Sequence, residues 1–179
     1  MKLQDWASIG EAVGGLAVLV TLIYLAYQFR QTARLERAAG QRDLLSQARS
    51  WMELTAVHPD LFEVLQRGLH DWQSVSPAER ERCSAWAWSL LFIAEEALYM
   101  QRDGFIHKVS YRGFLGAALA VVATPGGRVW WTGARNIIGD DISDYMDQAL
   151  EDLPPDAPNW ITMLPHWGEF EGTEPRASA

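Results

Sequence analysis

The sequence predicts an all-α protein in which a single N-terminal transmembrane helix continues into a cytoplasmic helical bundle. Three observations lead there. Residues 12–27 form an uncharged apolar run. Behind it, apolar residues recur at helical spacing between clear start and stop signals. Strand-like alternation and internal repeats are absent from the sequence. The 179 residues divide accordingly into a short non-cytoplasmic tail (1–5), the membrane helix (6–29), the bundle (30–152) and a Pro-rich acidic tail (153–179).

The apolar run alone falls short of the roughly 20 residues that a span requires. Its flanks lengthen it. From 6 to 29 the only charge is Glu11, and at about 1.5 Å per residue that stretch covers roughly 36 Å. Trp6 at one end and Tyr24 and Tyr27 near the other stand where interfacial aromatics sit. A cleaved leader fits less well, because Asp5 and Glu11 precede the apolar part and Tyr27-Gln28-Phe29-Arg30 offers no small-residue cleavage site. Lys2 is the base on the N-terminal side, whereas Arg30, Arg34, Arg37, Arg42 and Arg49 follow the run. Basic residues stay inside, so the bundle belongs to the cytoplasm. Gly10, Gly14, Ala17 and Thr21 line a small-residue face through which two such helices approach closely. A homo-oligomer packed on that face is therefore the expected assembly.

The helix is expected to continue from Arg30 to Val57, a stretch rich in strong helix formers. Its apolar stripe comprises Leu35, Ala38, Leu45, Ala48, Met52 and Leu54, with Trp51 beside them. Gly40 is a candidate bend, and His58-Pro59 ends the helix because the residue before proline avoids the helical region. A short helix follows over 60–69. Ser76-Pro77-Ala78-Glu79 then combines a cap, a proline for the first helical position and a glutamate that bonds back. The helix it opens runs to Arg102, where Asp103-Gly104 stops it. Trp86, Leu90, Ile93, Ala97 and Met100 share its core face. A second span here is disfavoured, since Glu95 and Glu96 at a bilayer centre would cost several kcal/mol. A fourth helix covers 109–123, with Gly113 and Gly116 suited to close packing. Thr124-Pro125-Gly126-Gly127 reads as a turn. A fifth helix carries Trp130-Trp131 to about Gly139, and Asp140 or Asp141 caps a sixth with Ile142, Tyr145, Met146 and Leu150 on one face. Beyond Leu153, prolines stop regular structure, although Trp160, Ile161, Met163, Leu164 and Trp167 are able to tuck against the bundle.

The composition excludes several functions. The net charge is -8, and ten of the 23 acids lie after residue 139 against a single base, Arg176. A basic footprint for nucleic acid is absent. Cys83 is the one cysteine and sits at the head of an apolar helix, so a packing role suits it better than a catalytic one. The four histidines form no Glu-x-x-His pair: Glu63 and His70 are seven apart, Glu53 and His58 five. Neither a P-loop nor a Gly-x-Ser-x-Gly motif occurs. No catalytic, metal or cofactor residue is assigned, and no cofactor is expected. Glu95 and Glu96 are the candidate buried acids, although adjacent helical residues point about 100° apart, so at most one faces a core.

The segment Leu22-Ile23-Tyr24-Leu25-Ala26-Tyr27-Gln28-Phe29-Arg30-Gln31-Thr32 after Gly10-Glu11 resembles a widespread group of small uncharacterised bacterial proteins. In that group an N-terminal membrane helix ends in a Tyr-Leu-Ala-x-Gln-x-Arg-like segment. The stretches 95–104 and 127–131 are similar to the same group. The resemblance implies a single-pass protein of the bacterial inner membrane and supplies no activity. The expected partners are the lipid bilayer, further copies of the chain and an unidentified protein. Two other classes stay open: an oligomeric pore or transport component built on the first helix, and an enzyme with a bundle-core site near Glu95 and Glu96.

Overall fold

The computed structural model describes residues 3–168; of residues 3–10, 12, 13, 165 and 168 it gives the backbone path alone. The described residues are all-helical. Eight α-helices follow in order: α1 (Leu3–Val57), α2 (Pro59–His70), α3 (Pro77–Arg102), α4 (Lys108–Val122), α5 (Pro125–Ala134), α6 (Asp140–Asp152), α7 (Trp160–Met163) and α8 (Pro165–Gly168), with a 3₁₀ turn at Trp72–Ser74.

At about 1.5 Å per residue, α1 is roughly 80 Å long. Only its second half meets the bundle. Leu44 and Trp51 are its buried residues, whereas every residue from 14 to 32 is exposed. The paired contacts fix the direction of α3. Gly40 faces Met100, Gln47 donates to Glu96 Oε2 at 3.0 Å, and Trp51 stacks on Trp86. Numbers fall in one helix as they rise in the other, so α1 and α3 run antiparallel. α4 returns along α3 after the turn at Gly104, whose φ of 74° belongs to glycine. α2 packs on α1, α3 and α5, and α6 lies across α3 and α4.

Expected local signals form at several ends. Ser76 and Glu79 make the reciprocal capping box at the start of α3, with the Ser76 N–H donating to Glu79 Oε2 at 2.8 Å. Arg67 of α2 pairs with the same carboxylate. The core face of α3 is as predicted: Trp86, Leu90, Ile93 and Ala97 are buried and Met100 half-buried.

Other expectations are corrected. The buried side of α1 is set by Leu44 and Trp51; Leu35, Leu45, Met52 and Leu54 remain exposed. α1 is unbroken at Gly40, where an added Cβ would strike Met100 Cε. Thr124-Pro125-Gly126-Gly127 is not a free turn. Thr124 is fully buried and caps α5, accepting the Gly127 N–H at 3.0 Å and donating to the Val121 carbonyl at 2.8 Å. Gly126 and Gly127 are α5's first turn, and a Cβ on either would overlap the Gly68 or Val121 carbonyl oxygen. Gly113 and Gly116 show the reverse, since a Cβ there would meet nothing within 4 Å. α5 stops at Ala134 rather than near Gly139. Asp140 and Asp141 do not cap α6; they occupy its first turn, where carboxylates complement the positive end of the helix. Of its expected face, Ile142 and Met146 are buried and Tyr145 is exposed.

The segment after Leu153 is irregular as far as Asn159 and then forms two short helical turns, α7 and α8. Asn159 caps α7 through its side-chain oxygen, accepting from the Ile161 and Thr162 N–H groups. Ile161 and Trp167 are buried, Trp160 and Leu164 partly so, and Met163 is exposed. The bundle therefore reaches Trp167. Residues 169–179 of the expected tail lie outside the described residues.

Two stability measurements follow. Gly126→Ala is expected to lower the unfolding free energy by about 1–3 kcal/mol through overpacking, while Gly116→Ala raises it by up to about 1 kcal/mol through helix propensity; denaturant unfolding of both variants checks the contrast. The Ser76 N–H and the Arg67 guanidinium hold the Glu79 carboxyl down at about 2, below its ordinary 4.5. A depressed carboxyl stabilises the fold above its unfolded value and loses that contribution as pH falls through its folded value. Stability attributable to Glu79 is thus lost between about pH 4.5 and pH 2, and Glu79→Gln should flatten an acid-unfolding profile in that window.

Candidate functional site

Two surfaces have the chemistry of contact sites. One is the first half of α1. The other is a groove on the bundle.

Along α1, all ten large apolar or aromatic side chains between 16 and 29 are exposed, from 40% at Leu25 to 73% at Phe29. No bundle helix covers them. Thr21 and Gln28 are the non-aromatic polar side chains of this run, and both bond to their own helix. Thr21 Oγ1 donates to the Ala17 carbonyl at 2.9 Å, and Gln28 Nε2 donates to Tyr24 Oη at 2.7 Å. The run thus presents mostly hydrocarbon, with Thr21 and Gln28 turned onto their own helix, as suits an apolar surrounding. Gly14, Ala17 and Thr21 are exposed on it, and a Cβ on Gly14 would meet nothing within 4 Å. Gly10, Trp6 and Asp5 lie outside the residues whose side chains are described.

Among the described residues no helix is long and apolar enough to cross a membrane. The expected span, 6–29, begins among residues whose side chains are not described. Its described part, 14–29, covers roughly 24 Å at 1.5 Å per residue, less than the roughly 30 Å of hydrocarbon.

Glu95 and Glu96 do not form a buried pair. Glu95 is half-buried beside Gly139 and Tyr99, and Glu96 is exposed and accepts from Gln47. Burial first, and the nearby Glu95 and Asp141 charges next, push the Tyr99 hydroxyl above its ordinary value. Asp147 ties α5 to α6, accepting from Trp131 Nε1 at 2.8 Å and pairing with Arg135. Among the described residues no group of His, Cys, Asp or Glu could hold a metal ion.

The groove runs between α1, α4 and α7, holds about 360 Å³, and is lined by Leu45, Met52, Val109, Gly113, Phe114 and Trp160 among others. The sequence reading missed it. The available signal is the small side of α4: Gly113, expected to pack closely against a neighbouring helix, instead borders a cleft together with Ser110 and Ala117. Beneath its Trp160 end lies an aromatic cluster. Trp51 stacks on Trp86 with centroids 4.5 Å apart, Trp160 meets Trp51 edge-on at 5.6 Å, and Trp167 lies 6.0 Å from Trp160. Trp51 Nε1 donates to the Trp86 carbonyl at 2.9 Å. The buried Nε1 atoms of Trp86 and Trp160 have no hydrogen-bond partner among the described residues. Four tryptophans from α1, α3, α7 and α8 thus close this side of the bundle by ring packing together with the Trp51–Trp86 hydrogen bond.

Cys83 is buried with its thiol near the Val64 carbonyl. Burial and the Glu79 charge push the thiol up to about 11. A thiol so placed is not a nucleophile at neutral pH. A disulfide reagent should therefore label Cys83 slowly in the native protein and rapidly once denaturant passes the unfolding midpoint; prompt native labelling would contradict the burial.

Compared with known proteins, the chain matches no family model, no curated protein and no solved structure.

Proposed function

We propose that this is a membrane-anchored helical protein without catalytic function, with residues 6–29 spanning a bacterial inner membrane. The bundle would stand on the cytoplasmic side and act through contacts with further copies of the chain or another protein. The observation that carries this reading is the exposure of every described side chain of α1 from 14 to 29. Burying a large aliphatic or aromatic side chain is worth about 1.5–3 kcal/mol, so ten of them left in water would cost on the order of 10 kcal/mol or more. A bilayer removes that cost. The internal bonding of Thr21 and Gln28 suits the same surroundings.

Self-association would use the face of Gly10, Gly14, Ala17 and Thr21. Its described members are uncovered and small, which is what close helix approach in lipid needs. A pore has weaker support, because Thr21 and Gln28 are turned onto their own helix, which leaves Glu11 and the tyrosine hydroxyls of 11–29 to line a path. An enzyme site near Glu95 and Glu96 has none, since neither acid is buried or grouped with a nucleophile.

The full chain is expected to float with phospholipid vesicles and to stay in the pellet after alkaline carbonate extraction; quantitative release would overturn the anchor. In detergent, cysteine-free crosslinking is expected to give a dimer or larger species, and Gly14→Leu to reduce it several-fold without changing carbonate resistance. A monomer under every condition would remove the self-association reading and leave the anchor standing.

A further inference from the structure

Between the apolar run and the bundle, α1 carries a short bare stretch with a single sign of charge along one side. Arg30, Arg34 and Arg37 lie at i, i+4 and i+7 and share one side of the helix. All three are exposed. The ion pairs found among the described residues, Arg67–Glu79, Arg82–Asp60, Arg102–Asp141 and Arg135–Asp147, include none of them. Their own helix offers no relief either. The positions three and four residues away from each hold Ala, Gly, Gln, Tyr or another of the three arginines, never an acid. Glu36 and Asp43 project from the other side of α1, about 100° or more around from each arginine. Like charges one turn apart oppose the helix, so the stripe is a local liability unless something anionic covers it.

The bundle does not cover it. Arg30, Arg34 and Arg37 are exposed, and α1 lies against the bundle at Gly40, beside Met100. Along the axis Arg30, Arg34 and Arg37 stand roughly 1.5, 7.5 and 12 Å beyond Phe29, and Gly40 roughly 16 Å beyond. A headgroup layer extends about 5–8 Å past the hydrocarbon, and screening at physiological salt has a length of about 8 Å. The first two arginines fall within that layer and the third within reach of its charge.

We propose that Arg30, Arg34 and Arg37 form a binding face for the phosphates of anionic phospholipids in the leaflet next to the bundle. The proposal rests on the membrane reading above. Guanidinium suits it, because its planar fork donates two parallel hydrogen bonds to a phosphate.

The test reconstitutes the full chain in vesicles of phosphatidylcholine mixed with phosphatidylglycerol, extracts it in mild detergent and weighs the retained lipid by native mass spectrometry. Wild type is expected to retain phosphatidylglycerol several-fold above its share of the vesicle lipid. The R30Q/R34Q/R37Q variant should return to the bulk ratio while keeping carbonate resistance and helical circular dichroism, and R30K/R34K/R37K should keep most of the enrichment. A carbonate-resistant wild type that retains both lipids in the bulk ratio overturns the headgroup face and leaves the anchor intact. Retained enrichment in the glutamine variant overturns it equally. A wild type that carbonate strips from the vesicles overturns both together.

Discussion

One unbroken helix carries both part of the bundle's core and an apolar surface that no described residue covers. α1 buries Leu44 and Trp51 in the bundle and leaves every side chain from 14 to 32 uncovered. A helix is stiff over this length, so the apolar half cannot fold back onto the bundle without a break, and neither Gly14, Gly15 nor Gly40 provides one. The bundle's own core is complete without that half. Leu65, Leu91, Leu115, Val121, Val122, Ile142 and Met146 are sealed by α2 to α6 and by the turns after Asn159. No described residue therefore covers side chains 14–32.

The bundle is held by two different kinds of close contact. At one side, backbone meets backbone: α5 starts against α2 because Gly126 sits on the Gly68 carbonyl, and the buried Thr124 hydroxyl satisfies the donors and acceptors that this approach would otherwise strand. At the other, large rings fill the space between α1, α3 and the C-terminal turns. Indole packing tolerates the N–H groups of Trp86 and Trp160, which have no partner among the described residues, because the rings supply so much buried apolar area. Ion pairs such as Arg102–Asp141 lie at the surface and contribute little by comparison.

Helix ends were legible wherever a side chain bonds its own neighbouring backbone. The Ser76 capping box, the stop at Asp103-Gly104 and the His58-Pro59 boundary depend on residues within a few positions of one another. The readings that failed concern what each helix faces. Leu35, Leu45 and Met52 look like a core stripe by spacing, yet the bundle meets α1 on the Leu44–Trp51 side. Gly113 and Gly116 look like packing glycines and border open space, whereas Gly126 and Gly127 look like a turn and lie pressed against the Gly68 and Val121 carbonyls. Spacing cannot distinguish these, because the deciding atom belongs to another helix.

The sequence by itself determined the all-α class, the continuous first helix, most helix boundaries and the placement of the arginines directly behind the apolar run, since each follows from local hydrogen bonding, propensity and charge order. Tertiary structure alone decided which side of α1 is covered and where that cover ends, that Glu95 and Glu96 stay out of the core, and that Trp160 and Trp167 return to Trp51 and Trp86. These depend on contacts between residues far apart in the chain, whose free energies exist only once the helices have docked.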